Sequence, residues 1–244
     1  MGQIYSVADG YALNSSFGGT WGAVRDSATA SSTDSTKTSH NLAVAAHIVT
    51  GFFTLPLISR TFVRFDCSGV TSTLSAASLK IYGNTKFGRG DAEDFWIVKS
   101  TALTTGIGGD FLVATADYDA ITGWDTSSPT TDGSGNGDQS SNVTLYSDVY
   151  DISGGWSTSA YNTISLNAQA RSDLVSQDTF TICIISDGDL RDVPESIGFG
   201  VTLNSMGMFF EDNAGTSKDP YIDYTEGEEE SSVVYNSVFF GTSF

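Results

Sequence analysis

The chain is 244 residues long, a span that suits one large β domain or one domain with extended ends. Hydrophobic residues reach 39% while charged ones stop at 16%, so a core can form, and the polar remainder is mostly Ser, Thr, Asn and Gly rather than the Glu and Lys of a helical protein. A net charge of −18 repels phosphate, which excludes nucleic acid and anionic lipid as expected partners and leaves a solvated acidic coat able to attract cations.

Met1-Gly2-Gln3-Ile4-Tyr5 lacks a basic segment followed by an apolar one, so no secretory leader is read there and synthesis in a cytoplasm is expected. Residues 3–25 mix glycine with Tyr5, Tyr11, Phe17 and Trp21 and read as an opening strand and a loop. Residues 26–41 have almost no apolar content and read as a long surface loop. The apolar stretch 42–58 is punctuated by Thr50, Gly51, Thr54 and Pro56; it reads as two buried strands, and no membrane insertion is expected.

Period-two alternation begins at residues 61–67, with Val63, Phe65 and Cys67 on one face and Arg64 and Asp66 on the other. Leu79 and Ile81 alternate in the same way, and 95–98 is a continuous apolar run typical of a buried strand. After a second polar loop at 125–142, further strands are expected at 143–146, 149–152, 163–166, 180–185, 197–201, 206–210 and 221–224. Asn167 is placed to cap one short helix through Leu174, with Ala170 and Leu174 on one face. Cys67 and Cys183 each lie in an apolar run and are expected as free buried thiols. Many short strands with turn residues between them predict an all-β protein, an antiparallel β-sandwich or jelly roll with extended terminal arms.

The sandwich is expected over residues 1–225, and 226–244 is a separate segment. An acidic spacer there leads into a β-prone, aromatic-rich end carrying Val233, Val234, Tyr235, Val238, Phe239, Phe240 and Phe244. Such a strand left free in water invites aggregation, so it either packs on its own domain or docks on a partner by strand addition.

The runs Phe62-Val63-Arg64-Phe65-Asp66 and Ala77-Ser78-Leu79-Lys80-Ile81-Tyr82, followed by Thr163-Ile164-Ser165-Leu166-Asn167 and the closing Asp219-Pro220-Tyr221-Ile222-Asp223-Tyr224, resemble the DNRLRE-type (disaggregatase-related) β-sandwich domains over about residues 60–225. Trp124 and Trp156 stand where that family tends to carry Trp. The family's namesake letters do not occur here, and the terminal tail is additional. The resemblance implies a jelly roll akin to carbohydrate-binding modules, of the kind carried by bacteriophage virion proteins and by bacterial and archaeal surface proteins. Without a visible leader, and with a sticky end, it points to the virion: a capsid decoration or a tail or fibre component, bound to other virion proteins and to copies of itself as a homo-oligomer. The alternative is a carbohydrate-binding module of a surface or secreted complex, outside the cell.

No catalytic constellation stands out. His40 and His47 fit no metal-ligand spacing, and no nucleophile elbow or phosphate-binding loop occurs, so no enzyme is expected. Exposed aromatics are the natural platform for a glycan, such as one on a host surface, and Trp21, Trp124, Trp156 and Tyr161 are the candidates, each with a core role as the competing reading. Calcium is the one cofactor to weigh: Asp187, Asp189 and Asp192 sit in a short acidic loop, which reads either as solvated acids or as oxygen ligands for a hard cation.

Overall fold

Alternation along each strand decides which side chains meet, and the computed structural model bears out the all-β sandwich. It describes residues 1–41, 44–49, 53–87, 94–104, 111–125, 137–152, 155–193, 195–197, 205–212 and 214–227. The strands are Gly2–Ser15 (β1), Ser32–Asp34 (β2), Ser39–Asn41 (β3), Val44–Val49 (β4), Thr54–Asp66 (β5), Leu74–Phe87 (β6), Phe95–Lys99 (β7), Tyr161–Ser165 (β8), Thr179–Ser186 (β9), Glu195–Ile197 (β10), Ser205–Phe209 (β11) and Tyr221–Glu226 (β12).

A front sheet runs β1–β12–β6–β8, and the far half of β6 also pairs with β11, which pairs with β3. A back sheet runs β2–β1–β5–β9–β7, with β4 beside the first half of β5. Every pairing among these is antiparallel, and β10 lies parallel to its neighbour β4. The long β1 belongs to both sheets. Residues 2–5 pair with β12, then the register slips between Ser6 and Ala8 and the strand continues along β5. A bulge of this kind bends a strand, and here it turns β1 from one sheet into the other. The N-terminal stretch is therefore part of the body rather than an arm.

The main core fills the space between the sheets. Val63 and Phe65 of β5, Phe180, Ile182 and Ile184 of β9, and Ile97 of β7 face Leu79 and Ile81 of β6, Ile164 of β8, Met208 of β11 and Ile222 of β12. Fully burying a side chain of this size contributes about 1.5–3 kcal/mol. A second apolar cluster covers the outer face of the back sheet, where Phe62, Trp96, Cys183 and Ile185 pack beneath Trp21, Val24, Leu103, Tyr118 and Val143. Burial on both faces explains why β7 and β9 read as unbroken apolar runs. Cys67 and Cys183 are free thiols in different clusters, and burial raises the Cys67 pKa to about 12.

Several expectations need correction. The expected loop at 26–41 contains β2 and β3. Residues 143–152 are not regular strands: they follow β7 through isolated bridges, and the Ser147 hydroxyl takes the place of a ladder carbonyl by accepting from Ile97 N–H at 3.1 Å. Among the described residues, three α-helices occur where one was expected. The expected one is Ala168–Ser176 (α2), capped by Asn167 through Ala170 N–H at 3.0 Å, with Ala170 and Leu174 buried. Trp21–Arg25 (α1) and Asp187–Leu190 (α3) are short turns capped by Thr20 and Ser186. Among the described residues, no helix is long and apolar enough to cross a membrane.

Candidate functional site

On the front sheet the residues that alternate with the core point outward. Ile222 faces in, so Tyr221 and Asp223 face out; Leu79 and Ile81 face in, so Lys80 and Tyr82 face out. Register sets Tyr5 of β1 directly opposite Tyr221 of β12, and Tyr82 of β6 opposite Tyr161 of β8. The result is a continuous aromatic stripe. Ring centroids are 5.4 Å apart for Tyr5 and Tyr221, 4.9 Å for Tyr221 and Tyr161, 5.1 Å for Tyr161 and Tyr82, and 5.8 Å for Tyr82 and Phe209. The last three pairs meet edge to face, the arrangement the aromatic quadrupole favours. Lys218 closes the stripe, with its ammonium 4.0 Å from the Phe209 centroid and 5.6 Å from that of Tyr82.

Polar groups border the rings. Gln3 donates to Asp223 at 2.9 Å, and Lys80 donates to the Thr163 hydroxyl at 2.9 Å while standing 3.7 Å from Asp223. The Tyr161 hydroxyl donates to the Asp219 carbonyl at 3.2 Å. Burial, then the neighbouring Tyr221 and Tyr5, raise the Tyr161 pKa to about 12, and burial raises that of Tyr221 as well. The two phenols therefore stay protonated at physiological pH, able to donate through oxygen and to stack through carbon. Tyr5 is 40% exposed, and Tyr82, Tyr161, Phe209 and Tyr221 are each half-buried, so the surface is open but held in place.

Of the aromatic residues singled out from sequence, only Tyr161 lies on this face. Trp21 is fully buried and donates from its indole to Asp192 at 2.7 Å. Trp156 is a core residue against Phe95 and Tyr150. Trp124 is half-buried, with the guanidinium carbons of Arg60 and Arg25 at 4.3 and 4.8 Å from its ring centroid. Tyr5, Tyr82, Phe209 and Tyr221 were missed, although each alternates with inward apolar neighbours in its strand.

The acidic loop is also engaged otherwise. Asp189 forms a bidentate pair with buried Arg60, Asp192 accepts from Trp21, and Asp187 accepts from Trp96 at 2.6 Å and Arg191 at 2.8 Å. Among the described residues, no group of three His, Cys, Asp or Glu side chains is arranged to hold a metal ion. The expected docking residues Val233, Val234, Tyr235, Val238, Phe239, Phe240 and Phe244 lie outside the described residues. No family model matches the chain, and no curated protein matches it.

Proposed function

We propose that the chain is a non-enzymatic adhesion module that holds a glycan on the outer face of its front sheet, and that it serves as a structural component of a bacteriophage virion. The observation that carries the adhesive part is the unbroken stripe Tyr5–Tyr221–Tyr161–Tyr82–Phe209, bordered by Gln3, Asp223, Lys80 and Thr163. Sugar rings offer apolar C–H faces and equatorial hydroxyls. Ring faces with amide, carboxylate and ammonium groups beside them match both. The shallow, open shape suits a chain lying across the strands.

The virion setting is supported by the sequence: the likeness to DNRLRE-type sandwiches, and the acidic spacer with its aromatic end at 226–244. The competing setting, a surface or secreted complex, would use the same face, so the two differ in what the terminal segment meets.

The test is a glycan array with the full chain and with Tyr82→Ala and Tyr221→Ala. Stacking of nucleic-acid bases on aromatic rings is worth about 1–3 kcal/mol, and at that scale each variant should weaken glycan binding roughly tenfold or more, beside a fall in melting temperature from the ring pairs it loses. An array negative for the full chain, run with calcium present, overturns the glycan reading.

A further inference from the structure

A second site lies where β1 changes sheets. Beside the bulge at Val7 lies a pocket of about 410 Å³ whose lining includes Val7, Asp9, Phe111, Leu112 and Glu211. Asp9 is only 2% exposed. One of its oxygens accepts from the Glu211 backbone N–H at 2.8 Å, and the other, Oδ1, has no hydrogen-bond partner among the described residues. Burial pushes its carboxyl well above the usual carboxylate range; the Glu211 N–H opposes this, while Glu211, Asp212 and Asp219 repel its charge. Glu211 is itself raised by burial and by Asp212 and Asp219. Among the described residues, no Lys or Arg forms an ion pair with any of these four carboxylates. Lys37, beside Thr36 in sequence, is instead engaged with the Tyr11 hydroxyl at 3.1 Å.

A buried carboxylate oxygen without a donor is costly, and a cluster of unneutralised acids adds to the cost. The Asp9 carboxyl can relieve that cost by holding a proton; a bound group that brings positive charge and an N–H donor relieves it instead, and displaces the proton. The rest of the lining narrows its chemistry. Val7 and Leu112 are 42% and 48% exposed at the rim, with Phe111 beside them, and they offer apolar surface to a carbon chain. Ser35 and Thr36 add hydroxyls. A bare metal ion would need several oxygens converging on one point. An ammonium at the end of an aliphatic stem needs only separate acceptors for its N–H groups and an apolar wall for its methylenes.

We propose that this pocket binds a primary ammonium group on an aliphatic stem, with Asp9 and Glu211 as its charge partners. The site is independent of the tyrosine stripe and would stand if that reading failed. Two sources share the chemistry, a free alkylamine and a lysine side chain of a partner protein.

The test follows backbone amide shifts of the full chain by NMR during titration with n-pentylamine, with 1-pentanol as the neutral control and Nα-acetyl-lysine methylamide as the peptide form. Saturable shifts at Asp9, Ser35 and Glu211 with the amine but not the alcohol are expected. Asp9→Asn keeps the acceptor for the Glu211 N–H and should weaken the amine at least about tenfold. Glu211→Gln, at a half-buried position, should weaken it too and guards against a folding defect in the first variant. Binding of the lysine derivative as well assigns the pocket to a partner's lysine, and binding of pentylamine alone assigns it to a free amine. Equal response to the alcohol, binding unchanged in both variants, or no amine response beside a calcium response that Asp9→Asn abolishes would each overturn the proposal.

Discussion

Arg60 is fully buried in the layer that covers the back sheet, where an unpaired charge could not persist. Its Nε and Nη2 donate to the two oxygens of Asp189 at 2.7 and 2.9 Å, and its Nη1 donates to the Tyr118 carbonyl at 2.7 Å. Nη2 also reaches the Arg25 carbonyl at 3.2 Å, and the rings of Tyr118 and Trp124 lie 4.2 and 4.3 Å from the guanidinium carbon. Burial alone would lower the pKa of this group, and the Asp189 charge reverses the direction and raises it. Arg25 completes the knot from the other side by donating from Nε to the Asp189 carbonyl at 2.7 Å. The pairing explains why Asp189 stands in an acidic loop and yet is not free for a cation. Removing one partner leaves the other charged and buried, so Arg60→Leu should cost about 3–5 kcal/mol of unfolding free energy in urea. Arg60→Leu combined with Asp189→Leu should recover a large part of that loss, because both charges leave together. A single variant as stable as the parent would show that the clamp contributes nothing.

At the scale of strands and helices, β6 carries the tightest constraint. A Cβ at Gly83 would collide with the Ser157 carbonyl and come within 2.9 Å of the Trp156 indole nitrogen, and a backbone carbonyl cannot yield as a flexible side chain can. Gly83→Ala should therefore cost about 1–3 kcal/mol by overpacking, seen as a lower urea midpoint, and a neutral result would mean that the 156–157 segment moves aside. The strands that were legible in the sequence are those whose pattern follows burial. β5 and β6 alternate, and β7 and β9 run apolar because both of their faces are covered. The α2 helix was legible because Asn167 caps it and Ala170 and Leu174 share its buried face. α1 and α3 left no periodic signal: each spans barely a turn and depends on a cap hydrogen bond, from Ala23 N–H to Thr20 and from Asp189 N–H to Ser186. The tyrosine stripe was half legible. Its rings sit at alternate positions that the hydrophobic pattern exposes, but their alignment across β1, β12, β8, β6 and β11 depends on register, which no single strand encodes.

At the scale of the whole molecule, the described sheets end with β12. That strand lies between β1 and β6, and the last backbone link among the described residues is Gly227 N–H to the Thr73 carbonyl at 2.7 Å. Both apolar clusters draw their described members from residues before that point, the latest being Ile222 and Tyr224. A chain ending at Gly227 thus keeps both sheets and both described clusters, and it should fold with a melting temperature close to that of the full chain. What it loses is the segment carrying Val233, Val234, Tyr235, Val238, Phe239, Phe240 and Phe244, along with Glu228, Glu229 and Glu230. If that segment adds a strand to a neighbouring copy or another virion protein, sedimentation should show the full chain as an oligomer and the truncated chain as a monomer. The association should depend on salt, because bodies of net charge −18 repel one another and added ions screen that repulsion, so higher ionic strength favours assembly of the full chain. A truncated chain that still assembles would move the interface to the sandwich itself, and one that melts well below the parent would make the terminal strand part of the domain's own core.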